Sequence, residues 1–344
     1  MNTLLYSDWN HVEIAPQLEP VVAPDEVLLR VSACGLCGSE LEAFKNRSPR
    51  RVPPLVLGHE FCGQIEAVGS QVLDWQPGQK AVSNSLVACL QCAPCQRGDT
   101  HLCERRQIFG MNRPGAFAPL VNVPARCLIS WPDSLPAAAA CLAEPLANGV
   151  HVAHLLERWS AGRQIEKAVV FGAGPIGLMC LQTLRVMLGA QVGVVDLSPE
   201  RLDVALKLGA AHACNSREQG AVEWAKAWTQ GEGVDACVDA AGVGATKSAS
   251  LKSVRAGGAC VWIGLGQNEV TLETFGITLP EVAVLGSYAS TQDEMAQAVE
   301  LMRSGAVDAL SWAQVFPLEE GVQAFERMLK AQGSDIKAVI MPNS

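Results

Sequence analysis

The chain has 344 residues, of which 49% are hydrophobic and 18% charged, a composition that predicts a globular protein of about two domains at ~100–200 residues each. Its formal net charge of −9 argues against nucleic-acid and anionic-membrane partners, because both would repel it. The N-terminus lacks the basic and apolar regions of a signal peptide, and no uncharged run reaches the ~20 residues of a membrane span, so we expect a cytoplasmic protein.

The first half of the chain predicts a mainly β domain. Residues Glu26–Ser32 are strand-like and apolar, and Phe61–Val68 forms a second such segment punctuated by glycine. An Ala-rich run that begins at Pro136 leads into the helical segment Val150–Leu156, which we expect to join this half to the next. We therefore place the first domain boundary near Glu144.

From about Lys167 the pattern changes to alternating strands and helices. Such an alternation is typical of βαβ units, which build a doubly wound parallel sheet, so we predict an α/β fold for this half. Four segments have the continuous apolar character of buried strands: Ala168–Phe171, Gln191–Val195, Val234–Asp239 and Ala259–Ile263.

A glycine-rich turn follows the first of these strands. The segment Gly172–Gly177 has the G-x-G-x-x-G pattern that lets backbone approach a pyrophosphate at a helix N-terminus. Asp196 ends the next strand, where a carboxylate accepts hydrogen bonds from ribose hydroxyls and repels a 2′-phosphate. The pattern predicts a dinucleotide site that prefers NAD to NADP, with Arg201 moderating the preference. The alternative role for Asp196 is to stabilise the N-terminus of the following helix.

Four cysteines lie within one short segment, in the pattern C-x2-C-x2-C-x7-C. A closed tetrahedral site needs four thiolates and leaves no position open for substrate, so this spacing favours structural zinc. An iron–sulfur cluster and unrelated core cysteines are the alternatives. The four residues are Cys89, Cys92, Cys95 and Cys103.

A second set of candidate metal ligands lies upstream. Cys37, His59 and Glu60 offer one thiolate, one imidazole and one carboxylate, and three protein ligands leave a position open for water or substrate. Each residue alone is more typical of a buried thiol or a surface turn than of a metal site. The dinucleotide pattern and the four cysteines give this set its functional interpretation.

Taken together, these motifs resemble the zinc-containing medium-chain dehydrogenases, which include sorbitol, threonine and galactitol-1-phosphate dehydrogenases. The resemblance spans nearly the whole chain and implies a GroES-like β-rich catalytic domain, residues 1–144 and 287–344, interrupted by a Rossmann NAD-binding domain, residues 145–286. The motifs that carry it are Gly35–Ser39, Leu57–Glu60, the four cysteines, Glu144–Ala147, Gly172–Gly177 and Gly257–Gly258 before Val261–Gly264.

The resemblance also implies roles for individual residues. Cys37 and His59 match ligands of a catalytic zinc, and Glu60 or Glu144 matches the third ligand. Ser39 matches the hydroxyl that begins a proton relay. The cofactor-binding residues that the resemblance and the glycine-rich turn imply together are Gly172, Gly174, Pro175, Ile176, Gly177, Asp196, Arg201 and Gly264.

Two positions depart from the sorbitol and threonine branches of that family. Glu40 stands where they usually have an aspartate that orients the zinc-bound imidazole, and its longer side chain could still do so. Glu42 stands where they have a histidine, which puts a histidine at the end of the proton relay in doubt.

The implied activity is a zinc-dependent transfer of hydride between a secondary alcohol and NAD, with two zinc ions per chain, one catalytic and one structural. The substrate is expected to be a polyol, a sugar or its phosphate, and the enzyme a homodimer or homotetramer. Oxidation of an amino alcohol, as in threonine dehydrogenases, and a non-catalytic zinc-binding protein with the same fold are the alternatives. A zinc-free, NADPH-dependent reductase is disfavoured by the metal-type residues and by Asp196.

Three arginines lie between Cys37 and His59. Arg47, Arg50 and Arg51 could place a guanidinium near the substrate, where it would bind a phosphate or carboxylate group. The alternative is an exposed loop with no such role, so we expect a polyol or sugar alcohol first and its phosphate second.

Overall fold

The structure, a computed structural model, describes residues 1–343. It divides into two compact units, one formed by Met1–Glu144 together with the chain from Thr291 onward, the other by Pro145–Ser290. Within the described residues, no helix is both long enough and apolar enough to cross a membrane. All 13 cysteines are free thiols.

The first unit begins with short strands and few helices, as its alternating apolar segments predict. Two short 3-10 turns, Thr100–Leu102 and Ala125–Cys127, complete this region. The strands are β1 (Asn2–Asp8), β2 (His11–Pro16), β3 (Glu26–Gly35), β4 (Leu55–Val56), β5 (Glu60–Val68), β6 (Lys80–Ser83), β7 (Leu86–Val87), β8 (Gln107–Ile108), β9 (Leu120–Pro124) and β10 (Leu128–Ser130). The helices are α1 (Gly38–Asn46), α2 (Ala93–Gln96) and α3 (Ala137–Ala140).

The second unit is a six-stranded sheet in which every neighbouring pair of strands is parallel. The strand order is β13-β12-β11-β14-β15-β16, with the change of direction between β11 and β14, which is the doubly wound arrangement. Its strands are β11 (Lys167–Phe171), β12 (Gln191–Asp196), β13 (His212–Asn215), β14 (Val234–Asp239), β15 (Val254–Trp262) and β16 (Ala283–Gly286). Helix α4 (Ala143–Ser160) begins with two residues of the first unit and continues in the second. The other helices of the second unit are α5 (Pro175–Leu188), α6 (Pro199–Lys207), α7 (Ala221–Trp228), α8 (Gly244–Ser253) and α9 (Phe275–Thr278).

The last part of the chain returns to the first unit. Thr291 and Glu294 form a capping box that starts the first returning helix. The final strand pairs antiparallel with β3, so the C-terminal segment completes the sheet begun near the N-terminus. The elements are α10 (Gln292–Arg303), β17 (Ala313–Pro317), the 3-10 turn Leu318–Glu320, α11 (Gly321–Lys330) and β18 (Lys337–Met341).

The main sheet of the first unit has the order β10-β6-β5-β3-β18-β17, with β9 also paired to β3. Strand β3 lies at its centre, and most of its residues are buried, with Arg30 as its one exposed residue. Its C-terminal end, at Gly35, lies opposite Glu60 of β5 and Val339 of β18. The end of β3 and the start of β5 therefore meet beside the middle of β18.

Candidate metal centres and cofactor loop

The N-terminus of α1 fixes Cys37. This residue is the N-cap of the helix, and its sulfur accepts from the backbone N–H of Ser39. Glu40 completes a capping box, because its Oε2 accepts from the backbone N–H of Cys37 at 3.1 Å. The thiol of Cys37 is therefore held in a fixed position at the helix start.

His59 and Glu60 are brought to Cys37 by the turn that opens β5. Gly58 adopts a φ of +100° there, and its N–H donates to Glu40 Oε1 at 2.7 Å. The same Glu40 oxygen lies 3.0 Å from His59 Nδ1, which leaves Nε2 of the imidazole available for another partner. The ligand atoms of Cys37, His59 and Glu60 all lie within 4.8 Å of one another.

The surroundings of His59 favour a positive charge. Burial by itself would lower the pKa of the imidazole, but Glu40 and Cys37 raise it well above its usual value. Glu40 is fully buried, which would raise the pKa of its carboxyl, yet His59 keeps that pKa below the usual range. A soft thiolate, an imidazole and a carboxylate in such a setting suit zinc, so this donor set fits the metal.

A buried lysine lies behind Glu60. Lys337 at the start of β18 forms an ion pair with Glu60 Oε2, and both side chains are 1% exposed. Burial would lower the pKa of the Lys337 ammonium, but the Glu60 carboxylate raises it above its usual value. A Cβ at Gly35 would overlap this carboxylate, which explains the glycine. Sequence reasoning missed Lys337, although a lysine beginning an otherwise apolar strand is an unusual residue.

Glu144 lies close to this centre but outside the three-residue cluster. It is in the first turn of α4, buried, and hydrogen-bonded to Ser85. Burial raises the pKa of its carboxyl, and the charges of His59 and Glu60 also act on it. The structure thus places Glu60 among the candidate ligands and Glu144 beside them as a second carboxylate.

The three arginines of the loop after α1 occupy different environments. Arg51 is buried, and its guanidinium donates to the carbonyl oxygens of Gly110 and Ser39 and to Ser39 Oγ. Arg47 is exposed, lies at the C-cap of α1 and donates to Asn10 Oδ1 at 2.7 Å, while Arg50 is exposed. The guanidinium of Arg51 is therefore committed to the protein itself rather than open to a phosphate.

The four cysteines of the second cluster also converge. Cys92 Sγ lies 3.4 Å from Cys95 Sγ and 3.8 Å from Cys103 Sγ, and all four sulfurs lie within 4.8 Å of one another. A regular tetrahedron with Zn–S bonds of about 2.3 Å has S–S edges of about 3.8 Å, whereas a disulfide bond is about 2.05 Å long. The spacing fits a four-thiolate zinc site, and we call residues 89–103 the cysteine lobe.

Backbone N–H groups support the sulfurs of the cysteine lobe. The N–H groups of Gln91 and Cys92 each donate to Cys89 Sγ at 3.4 Å, and this lowers the pKa of Cys89 to about 6. Arg105 reaches the same sulfur from the exposed side, at 3.5 Å. These donors stabilise the Cys89 thiolate, whereas burial raises the pKa of the Cys95 thiol to about 12.

The glycine-rich loop of the second unit starts where β11 ends. Gly172 has a φ of +100°, and a Cβ at Gly177 would overlap the carbonyl oxygen of Gly172, so both glycines are required by the turn itself. Gly174 is the N-cap of α5, and a Cβ there would meet no protein atom. Pro175 and Ile176 form the first turn of α5. The open space at Gly174 fits a phosphate at this helix N-terminus.

Asp196, at the end of the neighbouring strand β12, contacts the glycine-rich loop. Its Oδ2 accepts from the backbone N–H of Ala173 at 2.6 Å, and its Oδ1 accepts from that of Ser198 at 2.9 Å. Arg201 lies in the first turn of α6, where its own N–H donates to Ser198 Oγ. Asp196 therefore stabilises both the turn before α6 and the glycine-rich loop, and its remaining lone pairs are available to ribose hydroxyls.

The sequence analysis did not single out Asp239, a further carboxylate at the carboxyl end of the parallel sheet. Asp239 ends β14, is fully buried, and accepts from the N–H groups of Ala241 and Gly242. Lys247 lies 3.4 Å from its other oxygen. A Cβ at Gly264 would overlap Gly242, so the two loops touch through backbone. These contacts shape the carboxyl end of the sheet beside the glycine-rich loop.

Comparisons with known proteins agree with these sites. Residues 23–133 match the family described as "Alcohol dehydrogenase GroES-like domain", and residues 175–304 match "Zinc-binding dehydrogenase". The chain is 33% identical to the sorbitol dehydrogenase of Bacillus subtilis over 351 aligned residues, which cover 100% of this chain and 98% of that protein.

Solved structures give the same result. Galactitol-1-phosphate dehydrogenase from Escherichia coli has a TM-score of 0.90 and 26% identity, covering 99% of this chain and 100% of its own. A zinc-binding dehydrogenase from Sinorhizobium meliloti 1021, bound to NADP, has a TM-score of 0.90 and 29% identity, covering 99% of each chain. The predicted GroES-like and Rossmann fold is confirmed, as are zinc and a nicotinamide cofactor in general terms. This chain belongs to the zinc-containing medium-chain alcohol and polyol dehydrogenases.

Proposed function

We propose that this dehydrogenase oxidises a secondary alcohol of a polyol, sugar or sugar phosphate, using NAD as hydride acceptor and two zinc ions per chain. The observation that carries the proposal is the convergence of Cys37, His59 and Glu60 within 4.8 Å of one another, in a unit that also holds a separate four-cysteine cluster. The set of Cys37, His59 and Glu60 has mixed ligands and can leave a coordination position for substrate, whereas the four-cysteine set is closed.

At the mixed site, Cys37 and His59 would hold the zinc with Glu60 or Glu144 as third ligand. Bound there, zinc supplies a Lewis acid that lowers the pKa of an alcohol hydroxyl, and the nicotinamide supplies the hydride acceptor. Glu40 keeps the His59 ring oriented through Nδ1, and Lys337 holds Glu60 through its second oxygen. These buried partners fix the donor atoms in place before any ligand arrives.

Ser39 would move the proton. Its hydroxyl is partly exposed and lies 3.3 Å from Cys37 Sγ, so it stands at the edge of the proposed centre. Without substrate, the Ser39 hydroxyl donates to Cys37 Sγ. In turnover it would rotate its proton away from the sulfur toward solvent as its oxygen accepts the proton of the substrate hydroxyl. The exposed Glu42 accepts from Asn46, and in the part of the chain that the structure describes it has no hydrogen bond with Ser39 that would make it the next group in this path.

The preference for NAD rests on Asp196. Its carboxylate ends β12 beside the glycine-rich loop, where a 2′-phosphate would meet its negative charge. The NADP-bound relative shows that this family also uses the other cofactor, so the ratio must be measured. We expect kcat/KM to be much higher with NAD than with NADP, and Asp196→Ser to reduce the ratio of the two values. Equal values with both cofactors in the unaltered protein would overturn the assignment.

The substrate class rests on the carboxylates at the proposed centre and on the relatives. Glu144 adds a second carboxylate beside Glu60. The relative found by sequence is a sorbitol dehydrogenase, and the similar solved structure is a galactitol-1-phosphate dehydrogenase. Because the Arg51 guanidinium is engaged by Ser39 and Gly110, the neutral polyol or sugar alcohol is the first expectation and its phosphate the second.

The direct test follows NADH absorbance over a panel of polyols, sugars, sugar phosphates and amino alcohols, with zinc counted in the same preparation. We expect turnover of at least one polyol or sugar-type alcohol and two zinc ions per chain. Absence of activity over the whole panel would favour a non-catalytic zinc-binding protein, and activity confined to amino alcohols would favour the threonine-type reaction. Iron in the cysteine lobe would contradict the metal assignment.

Assembly and location are part of the same proposal. Strand β16 is an edge of the parallel sheet, and Phe275 and Leu279 nearby are 77% and 79% exposed, which supports pairing with another copy as a homodimer or homotetramer. Thirteen free thiols suit a reducing compartment such as the cytoplasm. Sedimentation analysis of the purified protein tests the assembly.

A further inference from the structure

Arg51 is a buried cation beside the proposed catalytic centre that the proposed chemistry does not use. Its side chain is 3% exposed, and it makes three hydrogen bonds, all to uncharged oxygens. Nε donates to the carbonyl of Gly110 at 3.0 Å, and Nη1 donates to the carbonyl of Ser39 at 3.1 Å. Nη2 donates to Ser39 Oγ, also at 3.1 Å. Two of the three bonds thus hold a single residue, Ser39.

The chemistry of the two groups determines which way the proton of Ser39 points. A guanidinium has only donors, so Ser39 Oγ must be the acceptor of its bond with Arg51. A hydroxyl has one proton, which must therefore point away from Arg51. Ser39 Oγ donates it to Cys37 Sγ, 3.3 Å away. The result is a directed chain from Arg51 through Ser39 to the sulfur of a proposed zinc ligand.

We propose that Arg51 is a positioning residue that orients the Ser39 hydroxyl and, through it, the hydrogen bond received by Cys37 Sγ. A donor bonded to a thiolate reduces the electron density that the sulfur gives to a metal, and outer partners of this kind tune a metal site. The bond from Arg51 polarises the Ser39 hydroxyl and strengthens its donation to sulfur. One lone pair of Ser39 Oγ stays free to accept a substrate proton. This inference rests on the proposed function of Cys37 and Ser39.

The first experiment observes the sulfur directly, in protein free of substrate and nicotinamide. Cobalt replaces zinc, and the sulfur-to-cobalt charge-transfer band of the Cys37 centre is isolated by subtracting the spectrum of Cys37→Ala protein loaded in the same way. We expect Arg51→Met to move this band to longer wavelength, in the same direction as Ser39→Ala. An unmoved band in Arg51→Met would overturn the inference.

A double variant separates positioning from a general structural role. If Arg51 acts through Ser39, the Ser39→Ala/Arg51→Met protein has the same band and the same kcat as Ser39→Ala alone. Two effects that simply add would show that Arg51 acts by another route and would overturn the proposal. Absence of any difference band in the parent protein would instead contradict the metal centre itself, so the two failures are distinguishable.

Steady-state kinetics supply the second readout. We expect Arg51→Met to lower kcat about tenfold with KM little changed, since outer partners of metal ligands are worth about 10–100-fold. Arg51→Lys keeps the charge and can donate to Ser39 Oγ, so it should recover part of both kcat and the band position. This variant also provides the test if Arg51→Met does not fold. A rise in KM alone would point to substrate binding and contradict positioning.

The matched control is Arg50→Met. Arg50 is the adjacent residue and is exposed, and within residues 1–343 its backbone N–H donates to Ser48 Oγ while its side chain makes no hydrogen bond. Its replacement should leave the cobalt band and kcat unchanged. An equal effect of the two substitutions would show that loss of positive charge from this loop, rather than the contact with Ser39, is responsible, and would overturn the inference.

Discussion

The cysteine lobe and the Cys37 centre use related metal chemistry but are built differently. The lobe takes all four sulfurs from residues 89–103, and backbone donors of the same segment support the sulfurs of Cys89 and Cys103. The Cys37 centre takes its groups from the start of α1, the start of β5 and the first turn of α4, and is supported by β18. A local site depends on spacing along the chain, whereas a dispersed site depends on the sheet that brings strand ends together.

The two sites also differ in how far their surrounding residues are exposed to solvent. Around the Cys37 centre, Glu40, Arg51 and Lys337 are 0%, 3% and 1% exposed, so each interaction there is shielded from water. In the cysteine lobe, the outer partner Arg105 is exposed. Removing a partner should therefore have a large effect at the first site and a small one at the second.

Cys95→Ser should have the largest effect on stability. A closed zinc site contributes its binding energy to folding, so we expect loss of one zinc per chain and more than about 5 kcal/mol of unfolding free energy. Calorimetry and metal analysis measure both. Cys214→Ala, which alters a buried thiol outside both metal sets, should keep its zinc and lose only about 1 kcal/mol. Full zinc content in Cys95→Ser would contradict the assignment of the lobe.

His59→Ala should remove activity and leave the lobe intact. A Lewis acid supplies several kcal/mol of transition-state stabilisation, so we expect kcat/KM to fall at least about a thousandfold, or ~4 kcal/mol. The unfolding temperature should change little because the cysteine lobe keeps its zinc. His11→Ala is the control, since the His11 side chain is 62% exposed, and it should retain full activity. Activity within tenfold of the parent in His59→Ala would refute the catalytic role.

Lys337→Met tests whether the dispersed site depends on its buried ion pair. Removing one partner leaves the Glu60 carboxylate buried without its counter-charge, which costs about 3–5 kcal/mol of unfolding free energy. Thermal unfolding measures the loss. The double variant Glu60→Gln/Lys337→Met should regain part of it, because no uncompensated charge remains. If both proteins are equally destabilised, the ion pair is not the cause.

Glu40→Gln should have the smallest effect of the four. The amide cannot accept at both oxygens as the Glu40 carboxylate does, so either the His59 ring or the backbone N–H of Cys37 loses its acceptor. We expect metal affinity at the Cys37 centre to fall about 10–100-fold, measured by competition with a chromophoric chelator. Arg105→Met at the cysteine lobe is the matched comparison and should change affinity less than twofold. Equal losses in the two variants would remove the distinction between the sites.

Recognition of the fold from sequence depended on local patterns. The glycine-rich turn and the apolar strands β11, β12, β14 and β15 were identifiable because their signals lie within short segments. The sequence analysis did not identify strands β13 and β16. Both are short edge strands, four residues each and only partly buried, so they carry little of the continuous apolar character that marks a central strand.

The sequence by itself determined the ligand types, the cysteine spacing, the glycine-rich turn and the order of β and α segments, because each depends on neighbours along the chain. Only the tertiary structure decided that Lys337 would face Glu60, that Arg51 would hold Ser39, and that Glu40 would reach His59. These pairs are separated by 277, 12 and 19 positions, and no local periodicity encodes them. The Lys337 and His59 pairs form because the pairing of β3 with β5 and β18 brings those backbones together, whereas the Arg51 pair forms where the loop after α1 folds back on the helix. Burial then requires each polar group to find a partner.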